Sequence, residues 1–278
     1  MKHLLLGMVG LLLAGAACAG GVHSTRASVE ASMVVTGTIG ITAQGGVLAY
    51  TLDEPEKLPP VVVGVIGKDI PRWSFQPVMR DGKPIAAKTK MTLRLVAHPM
   101  GGNKFQIAVR GAYFGDQGLV AKTVKSVPPR YPQEAIRNRL DASVYLALRI
   151  DRAGNVTDAV AQQVNLCVIA RENDMDRWRN QFAKASENAA RQWTFTPAET
   201  VDQESYRVVR VPVVYRINDG SSPRTPAYGK WQSYVPGPLE LVPWSEADKL
   251  LTGAPDALPG EGVYGRSELT LLTPLDRG

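Results

Sequence analysis

Arg191-Gln192-Trp193-Thr194-Phe195-Thr196-Pro197 is the stretch on which the fold turns. Trp and Phe two positions apart project to one side of an extended backbone, so both rings can enter one core. Pro197 then ends the pairing segment. Just upstream, Met175, Trp178, Phe182, Ala185 and Ala189 recur at spacings of three and four, which predicts a helix over 174–192 with Asp174 as its cap. Downstream, after a polar turn at 199–204, the β-branched run 206–217 predicts a final strand.

The same signature occurs upstream as Arg72-Trp73-Ser74-Phe75-Gln76-Pro77. A second pair of landmarks keeps step with it. Ile41-Thr-Ala-Gln-Gly45-Gly-Val47 parallels Ile150-Asp-Arg-Ala-Gly154-Asn-Val156 at a constant offset, and the Trp-x-Phe-x-Pro units follow at a larger one. The difference falls where the second half has its long helix and the first has only the apolar run near 61–70. Hairpin, helix, Trp-x-Phe-x-Pro and strand in one order, twice, predict an internal repeat.

Outward from these landmarks, the second half reads as a helix over 133–140 opened by Pro132, a strand over 143–150, a turn at Asp151-Arg152-Ala153-Gly154-Asn155 and a return strand over 156–164. The order α-β-β-α-β gives a small antiparallel sheet with both helices on one face. The first half is richer in β: strands over 33–42 and 47–52, a turn at Arg80-Asp81-Gly82-Lys83-Pro84, then strands over 88–97 and 105–113. In 88–97, Met91, Leu93, Leu95 and Ala97 mark one face and Lys90, Thr92 and Arg94 the other. The fold class expected is α+β, two small domains, each an antiparallel sheet with helix packed on one face.

The expected boundaries are a signal peptide at 1–19, a leader at 20–31, a β-rich domain at 32–115, a linker at 116–126, a second domain at 127–220 and a Pro/Gly-rich tail at 221–278. The tail has little periodicity beyond one short helix at 246–251. Its Trp231, Tyr234, Trp244 and Tyr264 argue that parts of it pack on the domains. Met1-Lys2-His3, the apolar run 4–17 and Ala17-Cys18-Ala19 fit an export signal cleaved after Ala19, so the expected location is periplasmic. Cys18 opens the alternative of a lipid-modified cysteine and membrane attachment through it; retention as an inner-membrane anchor is a further alternative.

The inventory for chemistry is sparse. The chain has 278 residues, 44% of them hydrophobic, and a formal net charge of +6. Its charges are spread rather than blocked with aromatics, which argues against nucleic acid. The three histidines, His3, His23 and His98, offer neither a triad nor a shared metal, and the glycine pairs belong to turns rather than phosphate loops. Asp151 and Asp158 flank a hairpin and read as a solvated turn. Cys167, in Val164-Asn-Leu-Cys167-Val-Ile169, reads as a small buried hydrophobe. No enzyme, metal or cofactor is expected. The final strand offers something else: a sheet edge to which a peptide can add by main-chain bonds. That candidate edge comprises Tyr206, Val208, Val209, Arg210, Val211, Val213, Val214 and Tyr215. Pro212 either faces the non-pairing side or blunts it.

Pro129-Arg130-Tyr131-Pro132 with Ala135, the hairpin around Gly154, Ala190-Arg191-Gln192-Trp193-Thr194-Phe195-Thr196-Pro197 and Val211-Pro212-Val213-Val214-Tyr215 together resemble the TonB C-terminal domain over about residues 127–218. Residues 32–98 look like a degenerate second copy. The resemblance implies mainly structural roles for Tyr131, Pro132, Gly154, Trp193, Phe195 and Pro197. It implies a periplasmic domain that docks on a TonB-dependent outer-membrane transporter by capturing a strand of it, and that passes on force from a proton-driven motor. The long Pro-rich spacer of the family is not found here, so the resemblance reaches the fold more directly than energy transduction. The function expected is an exported TonB-like protein-binding module of the cell envelope; the alternative is an accessory periplasmic protein that keeps the fold and has lost transporter binding.

Overall fold

The computed structural model describes residues 29–100, 104–116, 121–197, 206–217, 228–244, 254–258 and 260–275. The expected signal peptide, the leader up to residue 28 and the short helix at 246–251 lie outside the described residues. In chain order the strands are β1 (Glu30–Ile41), β2 (Val47–Leu52), β3 (Val78–Arg80), β4 (Lys83–Ile85), β5 (Ala87–Pro99), β6 (Phe105–Phe114), β7 (Thr123–Lys125), β8 (Ala142–Asp151), β9 (Val156–Leu166), β10 (Thr194–Phe195), β11 (Tyr206–Tyr215) and β12 (Gln232–Tyr234). The helices are α1 (Pro60–Asp69), α2 (Gln133–Arg137) and α3 (Glu172–Ala190). The molecule is mixed α+β with antiparallel sheets, as expected.

The larger sheet runs β12-β1-β5-β6, with β2 pairing on the far half of β1 beyond β12. The three-stranded sheet runs β11-β8-β9. Each has one helix-covered face. Met33, Val35, Ile39, Met91, Leu93 and Leu95 meet Val62, Ile66 and Ile70 at α1. Val144, Leu146, Leu148, Ile150, Val209 and Val211 meet Met175, Trp178 and Phe182 of α3. Pro60 starts α1 without wasting a donor, since its missing N–H would have had no partner in the first turn. Asp174 is not the cap of α3. The helix begins two residues earlier behind Arg171, and the Asp174 carboxylate instead meets Arg177 at 2.9 Å.

The β1-β2 and β8-β9 hairpins close in the same way. Thr42 donates its N–H to Gly46 O (2.8 Å), Gly45 to Thr42 O (3.0 Å), and Phe75 to Gly45 O (2.8 Å). Asp151 donates to Asn155 O (2.9 Å), Gly154 to Asp151 O (3.1 Å), and Phe195 to Gly154 O (2.8 Å). Both glycines have positive φ, +85° and +92°. Both β-ladders slip by one residue beside the turn, at Gly40/Ile41 and at Arg149/Ile150. The strand order is also common: the long strand downstream of Trp-x-Phe (β5 after the small β3-β4 hairpin, and β11) pairs with the first strand of the hairpin, giving β5-β1-β2 and β11-β8-β9.

The second faces of the sheets turn toward each other. Thr92 and Arg94, expected on an outward face of β5, are buried there, as are Gln163 and Asn165 of β9. The cause is the tail, which threads between and around the sheets. Arg94 Nη2 meets Glu30 at 2.9 Å and Asp256 at 3.2 Å, and Asn165 Nδ2 donates to Asp256 (3.2 Å). Tail residues also finish both sheets. β12 pairs with β1, Val235 exchanges both backbone bonds with Leu166 of β9, and Glu240 N–H reaches Gln162 O. Residues 270–273 lie along Ser74-Phe75-Gln76, as β7 lies along β10 within the expected 116–126 linker.

Candidate functional site

β11 is a long strand at the border of its sheet, and its pairing with β8 is unbroken from Tyr206↔Asp151 to Tyr215↔Ala142. Side chains and backbone groups therefore alternate along its whole length. Val209, Val211 and Tyr215 point into the core under α3, and Val213 packs partly against it. The Tyr215 hydroxyl lies 2.7 Å from Ser186 Oγ, and burial pushes its pKa up to about 12. The alternate set, Tyr206, Val208, Arg210 and Val214, turns its side chains to the second face. Tyr206 lies under the Arg149 guanidinium, 3.8 Å from ring centroid to Cζ. Arg210 is buried, donates to Gln162 Oε1 (2.9 Å), and has its pKa pulled down to about 10 by desolvation.

The free edge can be read from one pair of bonds. Arg210 N–H donates to Tyr264 O at 2.7 Å, and Tyr264 N–H returns to Arg210 O at 2.9 Å. Arg210 thus points its backbone away from β8. By alternation so do Tyr206, Val208, Pro212 and Val214. Pro212 faces the non-pairing side with respect to β8, where its missing N–H costs the sheet nothing. It also leaves a gap in the donor row of the outer edge, so both readings of this proline hold.

The edge is not empty. Residues 260–264 run antiparallel to it, with Gly260 beside Val214 and Tyr264 on Arg210. Val263 enters the core of the second sheet. Tyr264 is almost fully buried, and its ring stacks edge-on against Tyr113 of β6 at 5.4 Å. The expectation of an open strand is corrected to that extent: its centre is held by the chain's own tail.

The motif residues sit beneath this edge rather than on it. Trp193 and Phe195 are buried, and Trp193 Nε1 donates to Val127 O (2.8 Å). Tyr131 packs edge-on against Phe182 and Tyr215 and donates its hydroxyl to Leu140 O (2.5 Å). Pro132 precedes α2 as its N-cap residue, and Pro197 is exposed after β10. Gly154 has no room for a side chain, since a Cβ there would lie 2.0 Å from Phe195 O.

A second feature is a cleft of about 340 Å³ between the second faces of the sheets, lined by Tyr145, Arg94, Arg216, Lys230, Tyr228 and Cys167 among others. Cys167 is corrected from buried to exposed. β9 ends at Leu166, and the thiol turns to this cleft, 3.9 Å from Arg216 Nη1. Enough protein surrounds it for desolvation to push its pKa up, which is opposite to an activated nucleophile. Among the described residues no group of three or more His, Cys, Asp or Glu could hold a metal, and no helix is long and apolar enough to cross a membrane.

A strand edge over a buried Trp-x-Phe corner is thus the feature with a binding chemistry, and relatives can be set beside it. Part of the chain is similar to protein TonB. The matches, from two strains of Xanthomonas campestris pv. campestris, are 33% identical over 91 residues, which is 33% of this chain and 35% of each relative. The match therefore spans about a third of the length of these relatives. No family model matches the chain, and no solved structure does. The similarity supports a TonB C-terminal-like relationship over that span. The tail on the edge and the Arg94–Asp256–Asn165 cluster carry no local signal in the sequence, because their partners are far apart along the chain.

Proposed function

We propose that this protein is an exported, non-catalytic binding module of the bacterial envelope that takes up an extended peptide as an added strand on β11. In its specific form the peptide is the N-terminal strand of a TonB-dependent outer-membrane transporter. The observation that carries the reading is the β11-β8-β9 sheet with its last strand at the border, in a chain 33% identical to protein TonB over 91 residues. That length is close to the span of the second unit. Beyond the point where Tyr264 sits, Val208 is buried and Tyr206 is half-buried, so main-chain bonding is most accessible at the Tyr206 end of the strand.

We infer as well that residues 32–98 derive from the same unit. The support is the common strand order, the matching hydrogen bonds at Gly45 and Gly154, and the shared slip beside each turn. The first copy has since gained β6 on its outer edge, so only the second keeps its third strand at a border.

The test is titration of the mature protein with transporter N-terminal strand peptides, followed by backbone chemical shifts of 206–214. Saturable shifts centred on that strand and on the Tyr264 segment paired with it are expected. No shift at millimolar peptide sinks the transport reading. The alternative, an accessory protein that has lost transporter binding, is favoured by the Tyr264–Arg210 pairing and would be left standing.

A further inference from the structure

We propose that residues 254–258 and 260–272 form a strap that competes in cis for the β11 edge, so that a partner strand binds only when the strap lifts. This rests on the reading of β11 as the partner edge. The strap is held unevenly. Asp256 fixes its start to Arg94 and Asn165. Glu268 N–H on Phe114 O, Gln76 N–H on Thr270 O and Leu272 N–H on Ser74 O fix its end to the first unit, and Leu269 is buried in that unit's core. Against β11 itself the described contact is a single bridged pair, Arg210 with Tyr264.

That single pair is set at the centre of the strand, where any added strand must bond. The next outward position, Pro212, has no donor, so the strap gives up little pairing there, and a longer competitor extends the other way, past the buried Val208 to the half-buried Tyr206. The strap thus blocks with few bonds to β11 and with strong anchoring elsewhere. Its middle can lift while its ends stay fixed only by exposing the buried Val263 and Tyr264, a cost that the incoming strand must offset. The occupant it excludes is an extended peptide able to pair with Arg210 and to continue toward Tyr206.

A reversible lock separates occupancy of the edge from peptide binding. A Cβ built at Gly260 lies 3.2 Å from Val214 Cγ2, within reach of a disulfide. Val214→Cys with Gly260→Cys is made in the full chain, with Cys18→Ser and Cys167→Ser to remove other thiols. The probe is a synthetic transporter N-terminal strand peptide. The reduced protein is expected to bind it at least tenfold more tightly than the oxidised protein. On saturation of the reduced protein, amide exchange at Tyr264 should speed up while Arg210 stays protected, its bond now made by the peptide. Equal binding by the two forms overturns the strap and leaves the edge reading intact. Absence of binding by the reduced form overturns both. A Tyr264 amide that stays protected in the saturated complex overturns the strap even if binding differs.

Discussion

Gly154 and Gly45 show how much one missing Cβ can decide. Each sits at positive φ with the backbone oxygen of a Trp-x-Phe phenylalanine 2.0 Å from where a Cβ would be. The turn and the corner cannot close around a side chain. Gly154→Ala is expected to cost about 2–4 kcal/mol, as strain at a special φ adds to displacement of backbone. Urea unfolding at fixed pH would measure it, and a loss under 1 kcal/mol would contradict the geometry. Glu134 works through charge instead. Its carboxylate accepts from Gln181 Nε2, Trp178 Nε1 and Arg177, and these bonds hold its pKa down at about 2. A carboxylate depressed in the folded state stabilises fully above its unfolded pKa and loses that contribution as pH falls through the folded one. The clip of α2 to α3 should therefore weaken between about pH 4.5 and about pH 2. Melting temperatures of the wild type and Glu134→Gln should converge over that window; parallel curves would count against it.

At the scale of elements, β11 combines a complete inner ladder with an interrupted outer one. Pro212↔Tyr145 is a pair in which no bond to β8 is lost. Pro212 is buried, so Pro212→Val, which adds an N–H on the side away from β8, is expected to cost about 1–3 kcal/mol by leaving that donor without a partner. Thermal unfolding reads it; unchanged stability would show that the added donor finds an acceptor. Such local logic was legible in the sequence. The hairpins, α3, the Trp-x-Phe corner and the last strand all rest on patterns a few residues long. The errors came where distant chain intervenes. Thr92 and Arg94 alternate like a solvent face, yet Asp256 and the second sheet cover them. Within Val164–Ile169, Cys167 reads as a small buried hydrophobe, but β9 stops at Leu166 and leaves Cys167 exposed. The candidate edge was found from its own residues, whereas its occupant was hidden in a tail with no periodicity.

At the scale of the whole molecule, the tail bonds to both sheets. It supplies β12 to the first sheet, covers β9 with residues 235–240, crosses Arg210 and then lies along Ser74–Gln76. Removal of residues 228–278 should abolish cooperative unfolding of the first unit and leave 121–217 folded with both sheet borders bare. Circular dichroism melts and light scattering would record a smaller transition and self-association. A truncated chain that melts once, at the parent temperature, would mean the tail is dispensable.

The bond from Ser74 to Thr273 spans 199 positions in the chain. A ribosome releases the first unit's strands long before it has made the residues that finish them. During synthesis the N-terminal half therefore waits, incomplete, while the second unit already has nearly all of its own segments. Folding that depends on such distant closure is slow. The edge at Ser74–Gln76 is therefore completed only after residues 270–273 have been made.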